Sequence, residues 1–156
     1  MKGNSEVIKV LNSLLSDELT AINQYMVHSE MCENWGYGKL HAAIRKRAFD
    51  EMKHAEWLIE RILYFDSEPT VSILKQIRIG KTVVEMISND NEQEHGAVNS
   101  YNEAIKLARD VQDQGTVDLL TKIIVMEEGH IDWAEQQSAQ IDQMGIENYL
   151  NNQVAS

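Results

Sequence analysis

Cysteine is almost absent from this chain. Cys32 stands alone, so no disulfide framework can close within one subunit, and a reducing cytoplasm is the expected compartment. Proline occurs once, at Pro69, and glycine eight times in 156 residues, which leaves few interruptions and favours long helices. Long apolar runs are missing too. The longest, Ile123–Met126, is far too short to cross a bilayer, so no membrane span is expected. The N-terminus, Met1-Lys2-Gly3-Asn4-Ser5-Glu6, has no apolar h-region and does not read as a secretory signal. Basic residues are scarce: 14 Lys and Arg against 25 Asp and Glu give a formal charge of −11, which argues against a nucleic-acid partner and is compatible with attracting small cations. What remains is an ordinary globular composition, 43% hydrophobic, that reads as one domain over 1–156.

Periodicity and breakers divide the chain into helices. Asn4 or Ser5 caps a first helix to about Asn34, where Trp35-Gly36-Tyr37-Gly38 breaks it. A second runs from about Lys39 to Phe65 and must end before Pro69. Asp66 to about Lys81 has no sustained helical period and is too long for a tight turn, so it reads as a crossover along a bundle. A third helix spans about Thr82–Asp110, a fourth opens at Gly115 and Thr116 and ends near Met144, and Ile146–Gln153 forms a short fifth. A 27-residue helix is about 40 Å long. Four such rods with one long connection make an all-α four-helix bundle.

The same residue set is written twice. Glu18-x-x-Ala21-x-Asn23-x-Tyr25 recurs 76 positions later as Glu94-x-x-Ala97-x-Asn99-x-Tyr101, and Glu51-x-x-His54-x-x-Trp57 recurs as Glu127-x-x-His130-x-x-Trp133. In both halves the lone Glu precedes the Glu-x-x-His by 33 residues. A single Glu-x-x-His is weak evidence, since residues three apart share any helical face and exposed Glu is common. Here each candidate also falls inside an apolar stripe: Glu18 with Leu11, Leu14, Leu15, Ile22 and Tyr25; Glu51 and His54 with Leu40, Ile44, Leu58 and Ile62; Glu94 with Val84, Ile87, Ala97, Val98, Tyr101 and Ile105; Glu127 and His130 with Leu120, Ile123, Ala134 and Ile141. Buried carboxylates must be paired, coordinated or protonated. Four Glu and two neutral His balance two divalent cations, and hard oxygen donors with one imidazole per metal suit iron or manganese better than copper or structural zinc. Tyr25, seven residues after Glu18, can hydrogen-bond a metal-bound carboxylate or supply an electron. Trp57 and Trp133 read as packing residues, and His28, His41 and His95 as surface or packing residues.

These segments, with Met1-Lys2-Gly3, Asn34-Trp35-Gly36, Glu51-Met52-Lys53-His54-Ala55, Ile59-Glu60-Arg61-Ile62-Leu63, Glu127-Glu128-Gly129-His130-Ile131-Asp132-Trp133 and Met144-Gly145-Ile146-Glu147-Asn148-Tyr149-Leu150, resemble the bacterioferritins nearly end to end. The resemblance implies a ferritin-like fold and a hollow shell of 24 subunits, built from two-fold dimers, that oxidises Fe²⁺ with O₂ or peroxide and stores ferric mineral in the cytoplasm. It implies Glu18 and Glu94 as terminal ligands, Glu51 and Glu127 as bridges, and His54 and His130 as one ligand to each iron. It also implies an electron donor for iron release and leaves co-assembly with a second ferritin chain open. Met52 is implied as the axial ligand of a b-type haem shared by two subunits. Met52 sits about 100° round the helix from Glu51 and therefore points away from the metal candidates. Phe49, Met52, Ile59 and Leu63 form a second apolar stripe, and Leu15, Leu19, Ile22 and Met26 widen the first helix, which suggests a dimer face.

The chain departs from the family pattern at Arg45-Lys46-Arg47, where Lys46 is a poor iron ligand and an accessory inner-surface iron site with Asp50 is not expected. Gln112-Asp113-Gln114-Gly115-Thr116 is also atypical. Two other readings are a rubrerythrin-like peroxidase, which ordinarily adds paired Cys-x-x-Cys motifs that one cysteine cannot build, and a shell or haem-carrying partner subunit with little activity, which the intact six-residue set argues against.

Overall fold

The protein is described from a computed structural model covering residues 1–154; residues 155 and 156, the end of the domain expected over 1–156, lie outside the described residues. The elements are α1 (Ser5–Asn34), α2 (Gly38–Tyr64), α3 (Val83–Asp110), α4 (Gln114–Met144) and α5 (Ile146–Asn151). Each boundary has a local cause. Asn4 Oδ1 accepts from the backbone N–H groups of Glu6 (2.9 Å) and Val7 (3.2 Å), satisfying donors that the first turn of α1 leaves free. Gly36, at φ +83°, ends α1 with the Tyr37 N–H on Cys32 O (2.9 Å), a left-handed cap that glycine adopts without a Cβ penalty. Thr82 Oγ1 caps α3 through Glu85 N–H (3.2 Å), and Asp113 Oδ1 caps α4 through Thr116 N–H (3.1 Å). Arg61 then ties the end of α2 to the first turn of α4, with Nη2 on Asp113 (2.8 Å) and Nε on Thr116 Oγ1 (3.0 Å).

The helices form a four-helix bundle in which α1 packs chiefly on α2 and α3 on α4, while α1–α3 and α2–α4 contacts close the ring. Two apolar clusters fill it. One joins Leu11, Leu14, Leu58, Ile62, Tyr101, Leu120 and Ile123; the other joins Tyr25, Leu40, Ile44, Met86, Ile87, Ala134 and Tyr149. Along every long helix the residues between these clusters are the Glu and His candidates, so a polar band crosses the middle of the core. Val84 corrects the expected α3 stripe: it is 45% exposed, and Val83 is buried in its place. No helix among the described residues is long and apolar enough to cross a membrane.

The crossover, residues 65–82, contains no helix or strand among the described residues, and its backbone is served from α1. Asn12, Ser16, Thr20, Gln24 and His28 recur every four residues, hence on one helical face. In order they meet Thr70 N–H (2.7 Å), Ile73 O (2.6 Å), Lys75 N–H (2.9 Å), Arg78 N–H (3.0 Å) and Gly80 N–H (2.9 Å). An extended segment cannot satisfy its own amides, so this ladder supplies the missing partners. Gly80 has to be glycine: a Cβ there would lie 2.4 Å from the Met86 backbone nitrogen.

Candidate metal centre

The six side chains singled out by the repeat converge. Glu18, Glu51, His54, Glu94, Glu127 and His130 are 0–6% exposed and come from four helices. They form two groups, Glu18–Glu51–His54–Glu127 and Glu51–Glu94–Glu127–His130; in each, one ligand atom per residue lies within 4.8 Å of the others. Glu51 and Glu127 belong to both groups. Both histidines turn Nδ1 inward. His54 Nδ1 is 2.8 Å from Glu127 Oε1, 3.3 Å from Glu18 Oε2 and 3.5 Å from Glu51 Oε1. His130 Nδ1 is 3.3 Å from both Glu51 Oε1 and Glu94 Oε1, and 3.8 Å from Glu127 Oε2.

These oxygens are short of donors. Glu51 Oε1, Glu94 Oε2 and both oxygens of Glu127 are buried without a hydrogen-bond partner; the approach of His54 to Glu127 is close, but it lacks hydrogen-bonding geometry. Buried acceptors left unsatisfied cost about 1–3 kcal/mol each. A cation would satisfy all of them together, and the donor set of four carboxylates and two imidazoles fits a pair of divalent first-row metals. The outer histidine nitrogens differ: His130 Nε2 meets Asp50 Oδ2 at 2.9 Å, whereas His54 Nε2 meets the thioether of Met126 at 3.2 Å. A carboxylate behind a ligating imidazole fixes its tautomer and raises its basicity. Asp50 is also paired with Lys46 at 3.2 Å.

The proton affinities follow from this crowding. Burial raises Glu18 well above the usual carboxylate range, and the charge of Glu51 adds to it. Burial also raises Glu127, with Glu18, Glu51 and Glu94 adding repulsion. For Glu51 burial pushes upward too, but the close approach of the His130 and His54 imidazoles outweighs it and holds this carboxyl below its usual range. His54 goes the other way. Burial lowers it, yet Glu18 and Glu51 lift it to about 9, and Glu51 and Glu94 lift His130 to about 10. Any cation entering these groups would therefore have to displace protons.

A pH dependence follows. A histidine at about 9 in the folded protein, against 6.5 for the free side chain, binds more protons folded than unfolded across that interval. Stability falls wherever the folded state binds more protons as pH rises. The raised carboxyls of Glu18 and Glu127 act in the same direction. Thermal unfolding of chelator-treated protein should therefore show Tm falling between about pH 6.5 and 9, with the fall flattened by added divalent metal. A metal-free Tm that rises over this interval would contradict the protonation pattern.

Two tyrosines cross the site. Tyr25 donates to Glu94 Oε1, not to Glu18, its neighbour in sequence, and Tyr101 donates to Glu18 Oε1 at 2.8 Å. Trp57 and Trp133 are half-buried beneath cations, Lys122 at 3.8 Å and Arg47 at 3.7 Å from the ring centres. His28 is fully buried, a polar anchor that the sequence pattern did not mark. Met52 stands apart from the six, 41% exposed on the outer side of α2. A cavity of about 340 Å³, lined by Asp17, Glu18, Glu51, Lys75, Gln93 and Glu94, opens toward the centre from the crossover side.

Comparison with known proteins agrees with this architecture. The ferritin-like domain family matches residues 8–144. The chain is 42% identical over 149 residues to a bacterioferritin of Mycobacterium tuberculosis, covering 96% of this chain and 94% of that protein. It is 40% identical over 156 residues to a bacterial ferritin of Synechocystis sp., covering 99% and 100%, and 39% identical over 151 residues to a bacterioferritin of Streptomyces coelicolor, covering 97% and 90%. By fold, by extent of match and by identity, the chain belongs to the ferritin-like domain family and, within it, to the bacterioferritins.

Proposed function

We propose that this chain is the subunit of an iron-storage protein and that its six buried residues form a ferroxidase centre, with Fe²⁺ as substrate and O₂ or peroxide as oxidant. The observation that carries this reading is the pair of four-residue groups sharing Glu51 and Glu127, with buried carboxylate oxygens that no protein donor satisfies. Glu18 and Glu94 hold one Fe²⁺ each, His54 and His130 supply one imidazole to each, and the two shared carboxylates hold the pair together. Four carboxylate charges balance two Fe²⁺. Oxidation to Fe³⁺ adds two positive charges that the same carboxylates no longer balance, which favours departure of the product toward mineral.

Assembly has support in the exposed apolar surface. Met26, Phe49, Met52 and Leu63 are all exposed on the paired helices α1 and α2, more than a lone bundle needs. A two-fold contact between copies covers such a face, and 24 such subunits make a cytoplasmic shell. The exposed Met52 thioether, on the same helices as the exposed Phe49, Leu63 and Met26, would hold a haem b between two copies. When bound, that haem supplies a one-electron relay for iron release from an external donor. Residues 1–156 act as one ferritin-like domain, alone or co-assembled with a second ferritin chain.

One experiment tests storage and haem together. Anaerobic Fe²⁺ titration of the purified protein, with size measurement, should give two irons per subunit in a particle of many subunits, and Met52→Leu should lose haem absorbance. A monomer binding no paired iron would refute the storage reading, and a haem spectrum unchanged in Met52→Leu would refute the axial assignment.

A further inference from the structure

Tyr101 holds a place that the ligand set does not account for. It is fully buried on α3, seven residues after Glu94, as Tyr25 is seven residues after Glu18 on α1. The hydroxyls cross between halves: Tyr25 reaches Glu94 on α3, and Tyr101 reaches Glu18 on α1. Each lone glutamate is thus held by the phenol of the opposite half. A phenol carries one O–H donor and a carboxylate oxygen accepts, so Tyr101 is the donor to Glu18 Oε1.

The particular oxygens matter. Glu18 Oε1 accepts from Tyr101, while Glu18 Oε2 faces His54 Nδ1 at 3.3 Å, within the group formed with Glu51 and Glu127. A glutamate side chain turns readily about its last torsion, so a fixed partner on one oxygen decides which oxygen faces inward. The other half has a further support, the Asp50 carboxylate behind His130, where His54 has only the Met126 thioether. Among the described residues, Tyr101 is the one hydroxyl or carboxylate from outside the six that bonds to the Glu18–His54 half.

On the reading of the six residues as a two-metal centre, we propose that Tyr101 is a positioning residue for the ion held by Glu18 and His54, fixing Glu18 so that its Oε2 faces that ion. Loss of the hydroxyl weakens one metal position and leaves the other intact. Co²⁺ alone is a suitable probe, since its visible absorption reports binding without turnover. Chelator-treated native protein should take up two Co²⁺ per subunit. In Tyr101→Phe, which keeps the ring and its packing, one Co²⁺ should bind as in the native protein and the other about 10- to 100-fold more weakly, the usual penalty for losing a group that supports a ligand. Adding Tyr101→Phe to Glu18→Ala should change nothing further, whereas adding it to Glu94→Ala should weaken the ion that remains.

Two native-like Co²⁺ affinities in Tyr101→Phe would overturn the proposal, as would a further loss in the Glu18→Ala background. Native protein that takes up no pair of Co²⁺ would overturn the two-metal reading itself, and the proposal with it. Should Tyr101→Phe fail to fold, Tyr25→Phe serves: Co²⁺ should still perturb the near-ultraviolet absorption of a buried tyrosine there, and its absence would overturn the role of Tyr101.

Discussion

Replacing Glu127 with glutamine is expected to remove both metal ions at once. Glu127 directs one oxygen toward each histidine, Oε1 at 2.8 Å from His54 Nδ1 and Oε2 at 3.8 Å from His130 Nδ1, and it belongs to both four-residue groups. Glutamine keeps the volume but replaces one donor oxygen with an NH₂ that repels a cation, and it deletes a charge the pair requires. Losing a group that merely supports a ligand costs about 10- to 100-fold in affinity. Loss of a shared ligand should therefore exceed about 100-fold at both positions, and fast Fe²⁺ oxidation should disappear with it. Glu94→Gln is the contrast: Glu94 belongs to one group only, so one ion should remain. The metal-free protein should respond in the opposite sense. Burial and three neighbouring carboxylates make a charged Glu127 unfavourable, and neither of its oxygens has a donor. An amide donates to those neighbours. Relief of about 1–2 kcal/mol would raise the metal-free Tm at pH 8 by roughly 2–8 °C for a chain of this length. A Glu127→Gln protein that still binds one ion with native affinity would show that Glu127 is not shared.

That trade of stability against binding explains why the centre was legible in the sequence. Ionisable residues at core positions conflict with local rules, and such conflicts concentrate at functional sites. Glu18, Glu51, His54, Glu94, Glu127 and His130 each break an apolar stripe, and the break recurs after 76 positions. The helices were legible because Gly36, Pro69 and Gly145 interrupt otherwise unbroken periodicity; the observed bounds fall within a few residues of those expected. Where the reading slipped, a single turn decided it. Thr82, as the cap, starts α3 at Val83, and burial falls on Val83 instead of Val84.

Other features were hidden for a physical reason. Asn12, Ser16, Thr20, Gln24 and His28 are polar and four apart, which in sequence is indistinguishable from a solvated helix face. Only the extended crossover, with amides that need acceptors, reveals the ladder. Spacing likewise places Tyr25 on the face of Glu18, but it carries no information on the neighbouring helix, where the hydroxyl finds Glu94. Contacts between helices depend on bundle geometry that intrahelical periodicity cannot express.

The largest loss of stability is expected at the end of that ladder, in His28→Ala. The Gly80 N–H can only donate, so His28 Nε2, 2.9 Å away, must be the unprotonated nitrogen; the proton then sits on Nδ1 and is donated to Asp90 Oδ1 at 2.9 Å. Asp90 also accepts from Gln24 Nε2 at 2.8 Å, so one carboxylate on α3 is held by two rungs of α1, both of which also hold the crossover. Alanine at position 28 leaves the buried Gly80 N–H without an acceptor, takes a donor from a buried carboxylate, and opens a cavity at a fully buried position. Each unsatisfied group costs about 1–3 kcal/mol, so a total of about 3–5 kcal/mol and a Tm lower by roughly 6–20 °C are expected. Hydrogen exchange at Gly80 should quicken, and His28→Gln, which keeps an acceptor and a donor, should lose less. A loss under about 1 kcal/mol with the Gly80 amide still protected would show that the crossover does not depend on His28. Asp90 lies one helical turn before Glu94, so the anchor that fixes the crossover also fixes the register of α3 against α1. That register places Glu94 under the Tyr25 hydroxyl. A fall in metal affinity at the Glu94–His130 position, alongside the loss of stability, is the expected mark of that link.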